Sequence, residues 1–203
     1  MYRPPAFAVD DDAALDAFVD AHPFALITSV VDGEPMITHA PVLREGTEAL
    51  VCHLAKPNPH CAALAAGAPT TVVFAGPHGY VSPRWYAAAT AVPTWNYTAV
   101  HVRVAPAELA DRATLRTGMD AMVERFEPDP GIDAIVTDAV VDGMLRGIRG
   151  FRLRILGREG KFKLSQNRSA ADRRGVVAGL TARGGGDAEL AAIMAAREAE
   201  AAE

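Results

Sequence analysis

The sequence predicts an α+β domain built on an antiparallel β-barrel, and three observations lead there. Short stretches with a two-residue apolar period fill residues 24–104 and return at 151–165, whereas helical spacing is confined to the start, an insert and the end. A turn of Asp32-Gly33 between two apolar runs signals a tight antiparallel hairpin. Half of the 203 residues are hydrophobic, enough to bury a sizeable core.

The acidic start Asp10-Asp11-Asp12 suits a helix N-terminus, and Leu15, Phe18, Val19 and His22 then recur at helical spacing. Phe24–Val31 and Met36–Leu43 are the two hairpin strands, and a third strand covers Ala49–Leu54. Lys56-Pro57-Asn58-Pro59 follows, with Asn58 placed to cap and Pro59 to occupy the first turn of a helix through Ala66. Thr70–Ala75 and Gly79–Ser82 read as short strands around Gly76-Pro77. Thr94–Val104 alternates: Trp95, Tyr97, Ala99, His101 and Arg103 on one face, Asn96, Thr98, Val100, Val102 and Val104 on the other. The texture turns helical over about 107–147, with a break at Phe126–Gly131 between two helices. Phe151–Ile155 and Lys161–Ser165 read as strands joined by a turn at Arg158-Glu159-Gly160. Helices at about 169–182 and 187–197, parted by Gly184-Gly185-Gly186, close the chain. No repeat or domain-splitting linker stands out, so residues 1–203 read as a single domain with a helical insert about 107–147 and C-terminal helices about 169–198.

Net charge is −5, which opposes charge-driven attachment to nucleic acid or an anionic membrane. No run approaches the roughly 18 apolar residues of a membrane span, and the N-terminus lacks a signal-peptide pattern. A soluble, cytoplasmic protein is expected. The charge is unevenly placed: Met144–Arg174 carries ten Lys/Arg against two acids. Arg152/Arg154 and Lys161/Lys163/Ser165, each on one side of a strand, would form a compact cationic surface. Such a surface suits a phosphorylated ligand, or ion pairs with the acidic remainder or with a twin subunit; a DNA footprint is the poorest of the readings.

Val51–His60 delivers a strand to a capped helix start, where free N–H groups, the helix dipole and Lys56 can hold a phosphate; an ordinary helix cap reads the same way. His39 and His53, on neighbouring strands, could face each other across a ladder, with His60 close by. No tight ligand spacing or accompanying carboxylate recommends a metal, and hydrogen-bonded imidazoles are expected. Cys52 and Cys61 fit no zinc or redox spacing and read as buried thiols. Gly76–Tyr86 and Val92–Tyr97 hold both tryptophans and three of the four tyrosines. They suit a flat heteroaromatic ligand, a subunit interface or a barrel plug equally. No nucleophile elbow, Walker loop or dinucleotide fingerprint is present, which disfavours hydrolase and NTPase readings.

Taken in order, Met1-Tyr2-Arg3-Pro4, Thr38-His39-Ala40-Pro41, His53-Leu54-Ala55-Lys56-Pro57-Asn58-Pro59, Gly76–Pro83, Val92-Pro93-Thr94-Trp95-Asn96-Tyr97 and Gly160-Lys161-Phe162-Lys163-Leu164-Ser165-Gln166-Asn167-Arg168 resemble the PaiB family of FMN-binding negative transcriptional regulators. The resemblance spans nearly the full chain. It implies a split β-barrel of the FMN-binding type with flanking and C-terminal helices, and a homodimer with flavin in a groove between subunits. His39, Pro41 and His53 would line that groove, with Lys56 and Asn58 near the phosphate. Lys161, Lys163, Gln166 and Arg168 would close it, and Trp95 and Tyr97 would wall it. The lysine- and arginine-rich phosphate motif of the related oxidases is not reproduced literally here. The expected function is a homodimeric flavin-binding repressor. The alternatives are a flavin-dependent oxidoreductase acting on a small molecule, a direct DNA binder, or a haem-binding split-barrel protein using the histidines.

Overall fold

The alternation read from the sequence becomes eight strands, and the helical segments become six helices, in a computed structural model that describes residues 1–88, 90–127, 131 and 135–200. The strands are β1 (Ala8–Val9), β2 (Phe24–Val31), β3 (Glu34–Glu45), β4 (Ala49–Ala55), β5 (Thr70–Val81), β6 (Thr94–Val104), β7 (Glu108–Leu109) and β8 (Ile148–Lys163). The helices are α1 (Asp12–Ala21), α2 (His60–Ala65), α3 (Arg112–Phe126), α4 (Asp138–Gly147), α5 (Ala170–Arg183) and α6 (Gly186–Glu200). The sheet order is β1-β8-β4-β3-β2-β5-β6, and a further β8–β6 pairing closes it into a barrel, with β7 on β8. The fold is α+β, as the alternation predicts.

By density of internal contacts the chain forms two compact units, and β5, β6 and β8 contribute residues to both. One comprises Val19–Phe74 and Val102–Arg158. Its β2–β3 hairpin turns through Asp32 (φ 52°) and Gly33 (φ 84°), the paired left-handed conformation that a two-residue hairpin loop needs. β3 pairs β4 with Val42 opposite Cys52, β4 pairs β8, and β2 pairs β5. Inward residues Ile27, Val42, Leu50, Val72, Phe74 and Leu153 are fully buried. In the insert, Asp111 caps α3 by accepting from Thr114 N–H, while the break expected from Phe126 to Gly131 lies partly outside the described residues.

The other unit comprises Met1–Phe18, Ala75–His101 and Glu159–Glu203. Its core packs α5 and α6 with Val81, Tyr86 and Leu164. Ser169 caps α5 by accepting from Asp172 N–H.

Two expected turns are absent. β5 runs without a break through Gly76-Pro77, because Gly76 is needed for closeness: a Cβ there would overlap the Thr98 hydroxyl and stand 2.8 Å from the Phe18 ring. β8 likewise continues without a break through Arg158-Glu159-Gly160; Gly160 pairs with Val9 of β1, and a Cβ there would overlap Leu15. The anticipated cationic strand pair therefore does not form. Arg152 is instead engaged by Glu45 and Glu108, the ion-pair outcome.

Candidate functional site

In the unit that holds the N-terminus and the C-terminal helices, β6 and the end of β8 bring together two strings far apart in sequence. The outward face of β6 carries Trp95 and Tyr97, while Asn96 and Thr98 point inward with Val100. Asn96, with no exposed surface, donates from Nδ2 to Ser165 Oγ at 2.9 Å. Ser165 adopts φ 64°, and this left-handed residue ends the strand and turns the chain toward α5. Lys163 Nζ donates to Thr94 Oγ1 and to the carbonyl of Trp95, each at 2.5 Å.

Three cations gather here. Lys161 Nζ lies 5.3 Å from the ring centres of both Tyr2 and Tyr97, and the Arg168 guanidinium lies 4.9 Å from the Tyr86 ring. Among the described residues no carboxylate forms an ion pair with Lys161, Lys163 or Arg168. Desolvation, followed by the charges of Lys161 and Arg168, pushes the Lys163 ammonium below its ordinary pKa. The buried Tyr86 hydroxyl has no hydrogen-bond partner among the described residues. Trp95 is 55% exposed and lies edge-on to Tyr80 at 6.1 Å between ring centres. Asp172 lies within electrostatic reach of Arg168 without forming an ion pair, so the donor set, partly dry and flanked by aromatic rings, keeps an excess of positive charge that suits a phosphate joined to a flat ring.

Gln166 behaves differently from its expected part. Its Oε1 accepts from Leu164 N–H at 2.7 Å and its Nε2 donates to the Phe162 carbonyl at 2.5 Å, so the amide braces its own turn.

The remaining expected residues lie in the other unit. His39 is exposed and stacks on Phe24 at 5.9 Å, and Pro41 stands opposite Phe24 in the β2–β3 ladder. His53 is half-buried against α3 in a pocket with Thr114, Leu115 and Met122, and burial lowers its pKa. His39 and His53 do not face each other: with Val42 opposite Cys52, the register projects Pro41 opposite His53. Lys56 Nζ donates to the Arg146 carbonyl at the end of α4. Asn58 Oδ1 accepts from His60 N–H at 2.9 Å, the capping contact read from the sequence. The next amides are taken by the Asn58 and Pro59 carbonyls, and α2 has only six residues. The chain's own groups thus occupy the amides that would have held a phosphate.

His60 is the expected hydrogen-bonded imidazole, buried in a chain of hydroxyls. Thr70 Oγ1 donates to the Ala68 carbonyl at 2.7 Å and so accepts from Ser29 Oγ at 2.6 Å. Ser29 in turn accepts from His60 Nε2 at 2.8 Å, which leaves Nδ1 to accept from Thr38 Oγ1 at 2.9 Å. The directions fix a neutral, Nε2-protonated ring. Burial lowers its pKa accordingly. Cys52 and Cys61 are free and buried, and burial pushes the Cys52 thiol up to about 12, well away from a reactive thiolate.

Sequence reasoning missed Tyr2, Tyr86, Thr94, Asn96 and Ser165. Asn96 carried a signal, as an amide on the valine face of an alternating strand; Tyr2 and Tyr86 carried none that spacing could expose.

The family described as "Putative FMN-binding domain" matches residues 1–156. The Bacillus subtilis protein named Protease synthase and sporulation protein PAI 2 is 30% identical over 183 residues, 87% of each chain. The chain belongs to the PaiB family. Its fold is shared with solved flavin-binding split-barrel proteins. An FAD and haem binding protein from Mycobacterium smegmatis superposes with a TM-score of 0.62 at 24% identity, covering 88% of this chain and 80% of that one. The flavocytochrome Anf3 from Azotobacter vinelandii gives 0.59 at 20% identity, covering 80% and 72%. The family description and these flavin-binding neighbours support FMN as the cofactor of the domain. Residues after 156, including Lys161, Lys163, Arg168, α5 and α6, lie beyond the matched part.

Proposed function

We propose that this PaiB-family protein is a homodimeric flavoprotein that holds FMN by its phosphate on Lys161, Lys163 and Arg168 and acts as a negative transcriptional regulator. The observation that carries the reading is the cluster of three cations that form no ion pair among the described residues, set among Tyr2, Tyr86 and Tyr97. A phosphate dianion would supply the missing charge and restore the Lys163 ammonium toward its ordinary pKa. Trp95 and Tyr97 offer rings for the flavin to lie against. When bound, FMN supplies hydride or electron transfer. The chain contributes charge, orientation and exclusion of water.

The dimer reading rests on the outer face of the β2–β3 hairpin, where Phe24 is 64% exposed, Ile37 54% and Val30 48%. His39 and Pro41 stand on this same face, so a second copy laid over it would bring them to a subunit boundary, where the flavin groove is expected. Lys56 and Asn58 are then architectural residues of the β4–α2 connection. The regulatory role is carried over from the resemblance to the PaiB family, a member of which this chain is similar to over most of its length. Direct DNA binding gains less from the cationic segment than its count of charges suggests, since Arg152 and Arg173 are engaged by glutamates. Nor does the separation of His39 from His53 favour haem.

The test is a visible spectrum of the purified protein followed by titration with FMN. Saturable uptake with a flavin spectrum supports the reading. A folded dimer that takes up no FMN in either redox state overturns it.

A further inference from the structure

A cavity of about 180 Å³ lies in the unit that holds the C-terminal helices, between the 164–166 turn and helices α5 and α6. That volume corresponds to roughly six waters in the liquid. Leu164 and Met194, both nearly fully buried, form its floor, and Gln166, Arg173, Arg197 and Glu198 complete the wall.

Arg173 is engaged: its Nε donates to Glu198 and its Nη1 donates to the Arg168 carbonyl at 2.6 Å. The Gln166 amide is engaged by its own backbone. Arg197 makes no ion pair among the described residues. The cavity therefore has an apolar floor and two guanidinium groups against one carboxylate, a net charge of one positive unit.

We propose that this cavity binds a small organic monoanion, a carboxylate on a compact hydrocarbon or single aromatic ring, with the carboxylate on Arg197 and the apolar body over Leu164 and Met194. Arg197 offers a planar fork matched to a carboxylate, and the floor favours a body without polar atoms. A bare inorganic anion would leave the floor uncovered. The site belongs to α5 and α6, beyond the part of the chain that the flavin-binding family describes, and it stands independently of the flavin reading.

The test is calorimetric titration of the full-length protein with benzoate, benzamide and inorganic phosphate, without flavin. Benzoate is expected to bind saturably, and benzamide and phosphate at least tenfold more weakly. Arg197→Gln weakens benzoate about tenfold or more, whereas Glu198→Gln, which removes the one negative charge, tightens it. Arg197 is exposed and Glu198 half-buried on α6, so both variants are expected to fold. Absence of saturable benzoate binding to the wild type overturns the proposal. So does benzoate affinity unchanged by Arg197→Gln, or phosphate binding as tightly as benzoate.

Discussion

Lys163 and Thr94, 69 positions apart in sequence, are joined by a hydrogen bond of 2.5 Å from the ammonium to the hydroxyl. Two residues further along in each segment, Asn96 donates to Ser165 just past the end of β8, again 69 positions apart. These contacts make the Pro-Thr-Trp-Asn-Tyr and Lys-Phe-Lys-Leu-Ser-Gln-Asn-Arg strings each other's partner. Lys163 is held by neutral oxygens, which orient the ammonium without cancelling its charge.

Asn96→Ala tests the clamp. It removes the partner of Ser165 from a fully buried site and leaves a small cavity. Urea denaturation should show a loss of about 1–3 kcal/mol. A change within error of zero would show that the Asn96–Ser165 contact does not hold the turn.

The His60 network makes stability pH-dependent with a definite sign. The folded ring has its pKa pushed below 6.5 by burial, whereas the unfolded ring takes up a proton near 6.5. Unfolding therefore binds a proton in the window below 6.5, so stability is complete above that pH and is lost as pH falls toward the folded pKa. His53 and His101 are lowered by burial as well and add to the same slope. His60→Ala should cost about 2–4 kcal/mol at pH 7.5, because Ser29 loses its donor and a cavity opens. Its stability should also fall less steeply than the wild type's between pH 7.5 and 5. Parallel curves would assign the slope to other groups.

Glycines inside a helix are ordinarily improved by alanine, by about 1 kcal/mol. Gly175 and Gly179 of α5 should reverse that rule. A Cβ at Gly175 would overlap the Trp85 carbonyl, and one at Gly179 the Trp85 indole. Neither the backbone nor a ring packed against the core can yield cheaply, so Gly175→Ala should cost about 1–3 kcal/mol in thermal denaturation. Gly179→Ala should follow in the same direction. A rise in Tm for Gly175→Ala would contradict this packing.

If the exposed face of the β2–β3 hairpin is the dimer surface, one charge at its centre should be enough to open it. Ile37→Glu changes an outward position that is 54% exposed, so the fold of the protomer should survive. Sedimentation should give a dimer for the wild type and a monomer for the variant at micromolar concentration. A variant that remains a dimer would move the interface elsewhere.

The strands, the Asp32-Gly33 hairpin, the helical insert and the Asn58 cap were legible because each rests on local rules: period, turn chemistry and capping. The breaks predicted at Gly76-Pro77 and Arg158–Gly160 failed because glycine is also required where two elements pack closely, and sequence alone does not separate that use from a turn. Phe18 and Leu15 are what Gly76 and Gly160 make room for, and both are distant in the chain. At the site, Arg168 enters through the family resemblance, and Lys161 and Lys163, together with Arg152 and Arg154, could be singled out from charge density. The engagement of Lys56, Gln166 and Arg152 by Arg146, Phe162 and Glu45 could not, because each partner is set by tertiary placement.

The most direct measurement sets FMN beside riboflavin, which lacks the phosphate, in titrations of the wild type and Lys163→Gln. The wild type should bind FMN far more tightly than riboflavin. The substitution should weaken FMN on the order of 10- to 100-fold and leave riboflavin nearly unchanged. FMN affinity in the wild type should also fall as pH rises toward the Lys163 pKa, because that lowered pKa removes its charge earlier than an ordinary lysine would lose it. Equal affinity for FMN and riboflavin, or FMN binding indifferent to Lys163→Gln, would contradict a phosphate held on these cations.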